Sequence, residues 1–196
     1  MADQLATLQD LAYALQIDLA DLNAGTGTLL IECATAVVQA AAGGQRIVQV
    51  SGETLNIMGL SESWLDLPQI PVTSVASVTL DGTALTVGIE ATNYKLRGNR
   101  LWRTDGWQTY WGQPSDVVVV YTHGYAPGSQ ELQLGRAATL SLAKGQFSNP
   151  SGVASEAIDD YNVSYQAMSA AMEATPFLKA ALRKRYGRRG GLVRLG

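Results

Sequence analysis

Cysteine, histidine and phenylalanine are scarce in this chain of 196 residues, which holds one cysteine, one histidine and two phenylalanines. With Cys33 alone no intrachain disulfide can form, and a stapled secreted scaffold is excluded. Cys33 and His123 also cannot provide the about four Cys/His ligands of a structural zinc site. Charge is sparse at 16%, against 46% apolar residues, which excludes a disordered acidic chain and a long coiled coil. No uninterrupted apolar run approaches the about 20 residues of a membrane span. The N-terminus shows neither a basic n-region nor an apolar h-region. The expectation is a globular, cytoplasmic protein without a membrane partner, long enough to bury a real core.

What charge there is lies unevenly. Residues 1–178 carry 7 basic and 17 acidic side chains, a net of −10. The last 18 residues carry Lys179, Arg183, Lys184, Arg185, Arg188, Arg189 and Arg194 and no acid, a net of +7. An acidic body with a basic tail points to an acidic partner, whether nucleic acid or another protein's groove; a merely solvated tail is the plainer alternative.

Hydrophobic period divides the chain. Leu5, Leu8, Ala12 and Leu15 recur at helical steps after a possible cap at Asp3, and Asp18 restarts the pattern. A second helix is predicted over 28–42, with Leu29, Leu30, Cys33, Val37 and Ala40 as its apolar face, which makes Cys33 an inert core thiol. Gly43-Gly44 ends it. From Arg46 the period becomes 2. Residues 46–50 and 54–58 read as a hairpin across Ser51-Gly52-Glu53. Asp81-Gly82 favours a type I′ turn joining 75–80 to 85–89, and Gly98-Asn99 joins 94–97 to 100–103. Residues 117–121 read as a strand covered on both faces. Ser129 caps a helix to Phe147 with two apolar faces. Tyr161, Val163 and Tyr165 alternate as a short strand or extended arm. Thr175-Pro176 opens a last helix that Gly187 ends. The fold class expected is α+β: a helical part at 1–44, an inserted β-rich antiparallel region at 45–126, a helical part plus arm at 127–174, and a basic helix and tail at 175–196.

Catalytic chemistry is hard to assemble. His123 is the only imidazole, and no Gly-x-Ser-x-Gly elbow accompanies it, so a packed ring is the expected role. Gly25-Thr26-Gly27 lacks the Lys-Ser/Thr of a phosphate loop. Asp159-Asp160 is too small a set for a metal. No catalytic residue, cofactor or metal is expected. Tyr94, Trp102, Trp107, Tyr110 and Trp111 are interleaved with Lys95, Arg97, Arg100 and Arg103. Such a cluster packs a sheet with arginines reaching outward, stacks on single-stranded nucleic acid, or forms a protein-binding surface; packing is favoured.

Motif order adds a resemblance. An N-terminal helix pair leads into Trp64-Leu65-Asp66-Leu67-Pro68-Gln69-Ile70-Pro71-Val72, then Ser74-Val75 and Leu80-Asp81-Gly82. Tyr94-Lys95-Leu96, the strand at 117–121 and Thr122-His123-Gly124-Tyr125 follow, then the long helix from Gln130, Ser155-Glu156-Ala157-Ile158 and Tyr161-Asn162-Val163-Ser164-Tyr165. Over nearly its whole length this resembles the head-to-tail adaptor (connector) proteins of long-tailed double-stranded DNA bacteriophages. Asp159 departs from the glycine such proteins often carry after this isoleucine.

The resemblance implies a structural virion protein that is not an enzyme. It would form a homo-oligomeric ring of about a dozen subunits between the portal protein and the stopper or tail-completion protein. Double-stranded DNA would pass through its channel without specific binding, and assembly would take place in the host cytoplasm. The expected portal-docking residues are Phe177, Leu178, Ala181, Leu182, Arg183, Lys184, Arg185, Arg188 and Arg189. Trp102, Trp107, Tyr110 and Trp111 are expected on a tail-side or inter-subunit surface. Removing residues 176–196 is expected to leave the subunit folded but to abolish portal binding. The alternatives are a tail stopper or terminator ring, or a nucleic-acid-binding protein that uses the basic tail.

Overall fold

The structure is a computed structural model, and it describes residues 4–90, 93–110, 112–148, 155–158, 161–164 and 175–188. It is a mixed α+β chain that divides into two compact units, Gln49–Ala126 and Met1–Val48 with Pro127–Gly196.

The β unit is a seven-stranded sheet. Its strands are β1 (Val50–Gly59), β2 (Trp64–Asp66), β3 (Val72–Leu80), β4 (Thr83–Val87), β5 (Asn93–Arg97), β6 (Arg100–Trp102) and β7 (Ser115–His123), in the spatial order β1-β7-β3-β4-β5-β6-β2. All neighbours are antiparallel except the β4–β5 pair. The run of four valines ahead of Tyr121 suits a strand between two partners, because branched side chains pack well on a pleated surface. Val117, Val119, Tyr121 and His123 on one side of β7 are buried, while Val118, Val120 and Thr122 on the other are half-buried. The expected double cover is thus complete on one face only. Leu65, Leu67, Val78, Leu80, Tyr94, Leu101 and Trp107 join the buried face in a single cluster, each large apolar side chain contributing about 1.5–3 kcal/mol by leaving water.

Both local turns at Asp81-Gly82 and Gly98-Asn99 form hairpins. Asp81 and Gly82 have φ of 47° and 80°, the left-handed pair that a type I′ turn needs. The expected hairpin across Ser51-Gly52-Glu53 does not form. β1 is one strand that pairs along β7, and Gly52, at φ 67°, is absorbed in an irregularity between Val50 and Glu53. A nine-residue partner offers more ladder hydrogen bonds than a local turn would, so the glycine becomes a bulge. Gly59 closes the strand where no side chain fits, since a Cβ there would lie 1.9 Å from the Trp107 carbonyl oxygen.

The helical unit holds α1 (Leu8–Leu15), α2 (Ala24–Ala41), α3 (Gln133–Phe147) and α4 (Pro176–Tyr186), with 3-10 turns at Leu19–Asp21 and Gln130–Leu132. It also contains an antiparallel pair, β8 (Ser155–Ile158) and β9 (Tyr161–Ser164), that forms a sheet of its own. Thr7 rather than Asp3 caps α1. Its hydroxyl accepts from the Asp10 N–H at 3.2 Å, and the Asp10 carboxylate accepts from the Thr7 N–H at 3.0 Å. Asp3 lies outside the described residues. α2 starts earlier than expected because Asn23 acts as cap, accepting from the Thr26 N–H at 3.0 Å.

The buried side of α2 is also corrected. Gly27, Ile31, Ala34, Thr35, Val38 and Ala41 face inward, while Cys33 is exposed and Leu29 is 59% exposed. Alanine-rich helices carry more than one apolar stripe, and the smaller side chains allow the closer approach. At Gly27, for instance, a Cβ would sit 2.6 Å from the Leu8 side chain. Among the described residues α2 is also the one helix long and apolar enough to cross a membrane by length and composition, with a third of it buried inside the structure. The polar residues Thr26, Glu32 and Thr35 interrupt its apolar run.

Candidate functional site

Helix α4 places most of the residues expected to dock. Pro176 sits in its first turn, where its missing N–H costs nothing, and Arg183, Lys184 and Arg185 lie in its last turn, where cations favour the negative end of the helix. Phe177 is 88% exposed, Leu178 and Ala181 are half-buried, and Arg183, Lys184, Arg185 and Arg188 are exposed. Leu182 departs from the expected set. It is fully buried, as is Tyr186 one turn on, so both belong to the core of the helical unit. The Tyr186 hydroxyl accepts from the Gly135 N–H at 3.1 Å and donates to the Glu131 carbonyl. Gly187 approaches the Ala42 carbonyl so closely that a Cβ would lie 3.2 Å from it. Removing residues 176–196 would therefore strip the unit of core contacts, and the expectation that it stays folded is withdrawn. Arg189 lies outside the described residues.

The aromatic cluster separates into two populations. Trp107 is 1% exposed, with its indole N–H donating to the Ser63 carbonyl at 3.2 Å, and it is core rather than surface. Tyr94 is buried too, and burial pushes its phenol pKa up. Tyr110 is 69% exposed, and Trp111 lies outside the described residues. Trp102, half-buried on β6, meets a partner that the sequence reading left out: Trp64 stands opposite it on β2, and Lys95 opposite it on β5. Asp66, Arg100 and Arg97 form the next row across the same three strands. Arg100 pairs with the Asp66 carboxylate, and its guanidinium lies 5.1 Å from the Trp64 ring centroid. Alternation could have assigned Trp64 to a strand, but nothing local to residues 64–66 names β6 as its neighbour.

His123 is fully buried. Its Nε2 pairs with the Glu53 carboxylate, its Nδ1 is buried without a hydrogen-bond partner among the described residues, and its ring packs 5.1 Å from that of Tyr121. The imidazole braces β7 against β1. In the helical unit, Arg136 of α3 pairs with Asp10 beside an open groove that also includes Tyr13 and Leu140. Burial pushes the Asp10 carboxyl pKa up. Hydrogen bonds from the Thr7 N–H, the Arg136 guanidinium and the Thr7 hydroxyl, with the charge of Arg136, outweigh it and hold the carboxyl below its ordinary value. Asp81 is likewise held low, by hydrogen bonds from the side chains of Thr109 and Ser115 and from the Asp116 N–H. Among the described residues no group of three or more His, Cys, Asp or Glu side chains is placed to hold a metal ion.

No protein-family model matches the chain, and no curated protein matches it either.

Proposed function

We propose that this protein is a structural component of a phage particle, a head-to-tail adaptor. Its copies close into a ring of about a dozen subunits between the portal and the stopper or tail-completion protein, and the ring extends the DNA channel. The order of motifs along nearly the whole chain supports the reading. So does a helical unit drawn from both ends of the chain, with the β unit inserted between them.

The observation that carries it is the outward side of α4. A phenylalanine that is 88% exposed stands at one end of a helix whose last turn presents Arg183, Lys184 and Arg185 to solvent, with exposed Arg188 just beyond its end. An exposed aromatic anchor on the same helix as a cluster of cations is the composition of a binding hot spot for an acidic groove. The inward side of the same helix, Leu182 and Tyr186, fixes it to the subunit so that the anchor is presented rigidly.

Counting copies in purified particles by quantitative mass spectrometry tests the proposal. About one copy per portal subunit is the expected result. About half that number would favour a stopper or terminator ring, and absence from particles would overturn the virion reading altogether. Reversing Arg183, Lys184 and Arg185 of α4 and the adjoining Arg188 to glutamate, with the buried side untouched, should abolish capture by the portal protein and leave the fold intact.

A further inference from the structure

We infer that, independently of the adaptor reading, the outer edge of β1 is the docking site of an extended, basic segment of a partner protein, which adds to the sheet as a further strand. β1 is an end strand, bonded to β7 on one side only. In an antiparallel pair, opposed residues alternate between those that bond each other and those whose N–H and C=O turn away. Asp116 fixes the phase. Its N–H donates to the Asp81 carboxylate at 2.8 Å and its carbonyl accepts from the Asp81 N–H at 2.9 Å, both on the β3 side of β7. Met58, opposite Asp116, therefore turns its own N–H and C=O to the open side. Asn56 opposite Val118 and Thr54 opposite Val120 follow in the same phase. None of these three residues makes another hydrogen bond among the described residues. All three are exposed, Met58 at 62%.

Folded proteins guard such edges with short strands, charges or prolines. The opposite edge is guarded in this way: β2 has three residues, its Asp66 is paired with Arg100, and Pro68 follows. β1 has ten residues, and beyond the irregularity at Gly52 its run from Thr54 to Met58 has neither charge nor proline. An added strand would also lay alternate side chains over Leu55 and Ile57, which are only half-buried on the core-facing row. Charge selects the occupant. β1, β7 and β3 together carry Glu53 and Asp116 and no lysine or arginine. The basic residues of the β unit all fall between 95 and 103, toward the other edge. There Leu65, Leu101 and Leu96 turn to the core, so the rows Trp64-Trp102-Lys95 and Asp66-Arg100-Arg97 on either side share the outward face. Beside β1 an open depression is lined by Asn56, Met58, Pro114, Asp116 and Val118. The exposed Asp116 carboxylate is paired with no cation among the described residues. A lysine or arginine of the added strand fits there, its methylene stem against Met58 and Pro114 and its charge toward Asp116. A second copy of β1 would bring no cation, and an edge without positive charge is a poor footprint for nucleic acid. Strand addition draws its affinity from main-chain hydrogen bonds and its selectivity from alternate side chains.

Binding of a designed probe to the full chain tests this. The probe is the capped, dye-labelled peptide Thr-Val-Lys-Val-Thr-Val-Lys-Val-Thr, followed by fluorescence anisotropy and by amide hydrogen exchange of the protein. Saturation should slow exchange at the Thr54, Asn56 and Met58 amides and leave those of β2 unchanged. The lysine and threonine residues of the probe would stand opposite those three positions. Methylating their backbone nitrogens should therefore weaken binding about tenfold or more, whereas methylating the valine nitrogens should cost far less. Asp116→Asn should weaken the probe about two- to fivefold and leave a version with glutamine in place of lysine unaffected. Asn56→Pro, which removes one outward N–H and no ladder bond, should weaken both versions. The methylated pair is read on the unaltered protein, so it decides the matter even where a variant fails to fold. A probe that does not bind, equal binding by the two methylated forms, or no slowing at the three amides overturns the inference. An Asp116→Asn chain that holds the lysine probe as tightly as the parent overturns the choice of a basic segment. Slowing that grows with protein concentration in the absence of peptide would put a second copy on the edge and overturn the choice of a partner protein.

Discussion

Replacing Tyr186 by phenylalanine isolates what one hydroxyl contributes to the helical unit. Tyr186 is 3% exposed, and its hydroxyl reaches back 51 residues to accept from the Gly135 N–H at 3.1 Å. Gly135 lies in the first turn of α3, where N–H groups have no partner within the helix. Leu132, at the cap position, has no side-chain hydrogen bond to offer. The Tyr186 hydroxyl therefore acts as a cap supplied from another helix, and it also satisfies the Glu131 carbonyl. Phenylalanine keeps the ring packing and leaves a buried donor unpaired, at a cost of about 1–3 kcal/mol. With a urea slope of about 2 kcal/mol per molar, the midpoint should fall by about 0.5–1.5 M. The two units can be followed separately. All four tryptophans lie in the β unit, so far-UV circular dichroism reports mainly on the helices and tryptophan fluorescence on the sheet. The variant should lower the midpoint by circular dichroism. A midpoint unchanged within about 0.2 M would refute the capping role.

Three further outcomes are expected. Gly59→Ala should destabilise the β unit by about 2 kcal/mol or more, read as an earlier tryptophan-fluorescence transition, because the atom 1.9 Å from the new Cβ is a backbone oxygen that cannot swing aside. Asp10 has a folded-state pKa below its ordinary 3.8, so its contribution is fully present above that value and is lost as pH falls through the folded pKa. Acid titration followed by circular dichroism should accordingly show a steeper loss of helical-unit stability in the parent than in Asp10→Asn. Leu182→Ala should cost about 2–5 kcal/mol by opening a cavity in the helical core, whereas Phe177→Ala, at an 88% exposed position, should leave the urea midpoint unchanged and weaken portal capture.

Signals that act within a few residues were legible. Asp81-Gly82 and Gly98-Asn99 specify their turns because glycine and aspartate tolerate left-handed backbone, and the strands they join are adjacent in sequence. Pro176 and Gly187 bracket α4 where the sequence placed its ends, although Thr175 makes no side-chain cap hydrogen bond and Gly187, at φ −66°, is extended rather than left-handed. Partner choice was not legible. Gly52 carries the same chemistry as Gly82, yet it became a bulge because β7, some sixty residues further on, outcompeted the local pairing. Much the same applies to the candidate surfaces. Phe177 and the arginines of α4 were readable from a helical period and a run of charge, but that Leu182 faces the core depends on α2 and α3 being there to receive it. The interleaved aromatics were conspicuous, yet nothing near Trp107 marks it as core or sets Trp64 beside Trp102.

By itself, then, the sequence determined the α+β class, the change of hydrophobic period and the local turns, along with the concentration of positive charge at the C-terminal end. Those are properties of backbone preference and of short-range spacing. Only the tertiary structure decided which of the apolar stripes of α2 is buried, that Cys33 is exposed, that His123 braces the sheet with Glu53, and that two indoles and three cations share one outward face. The physical reason is that burial and strand pairing are competitions among all the segments of the chain at once. A residue's own neighbours set what it can do, and the segments that arrive from elsewhere set which of those things it does.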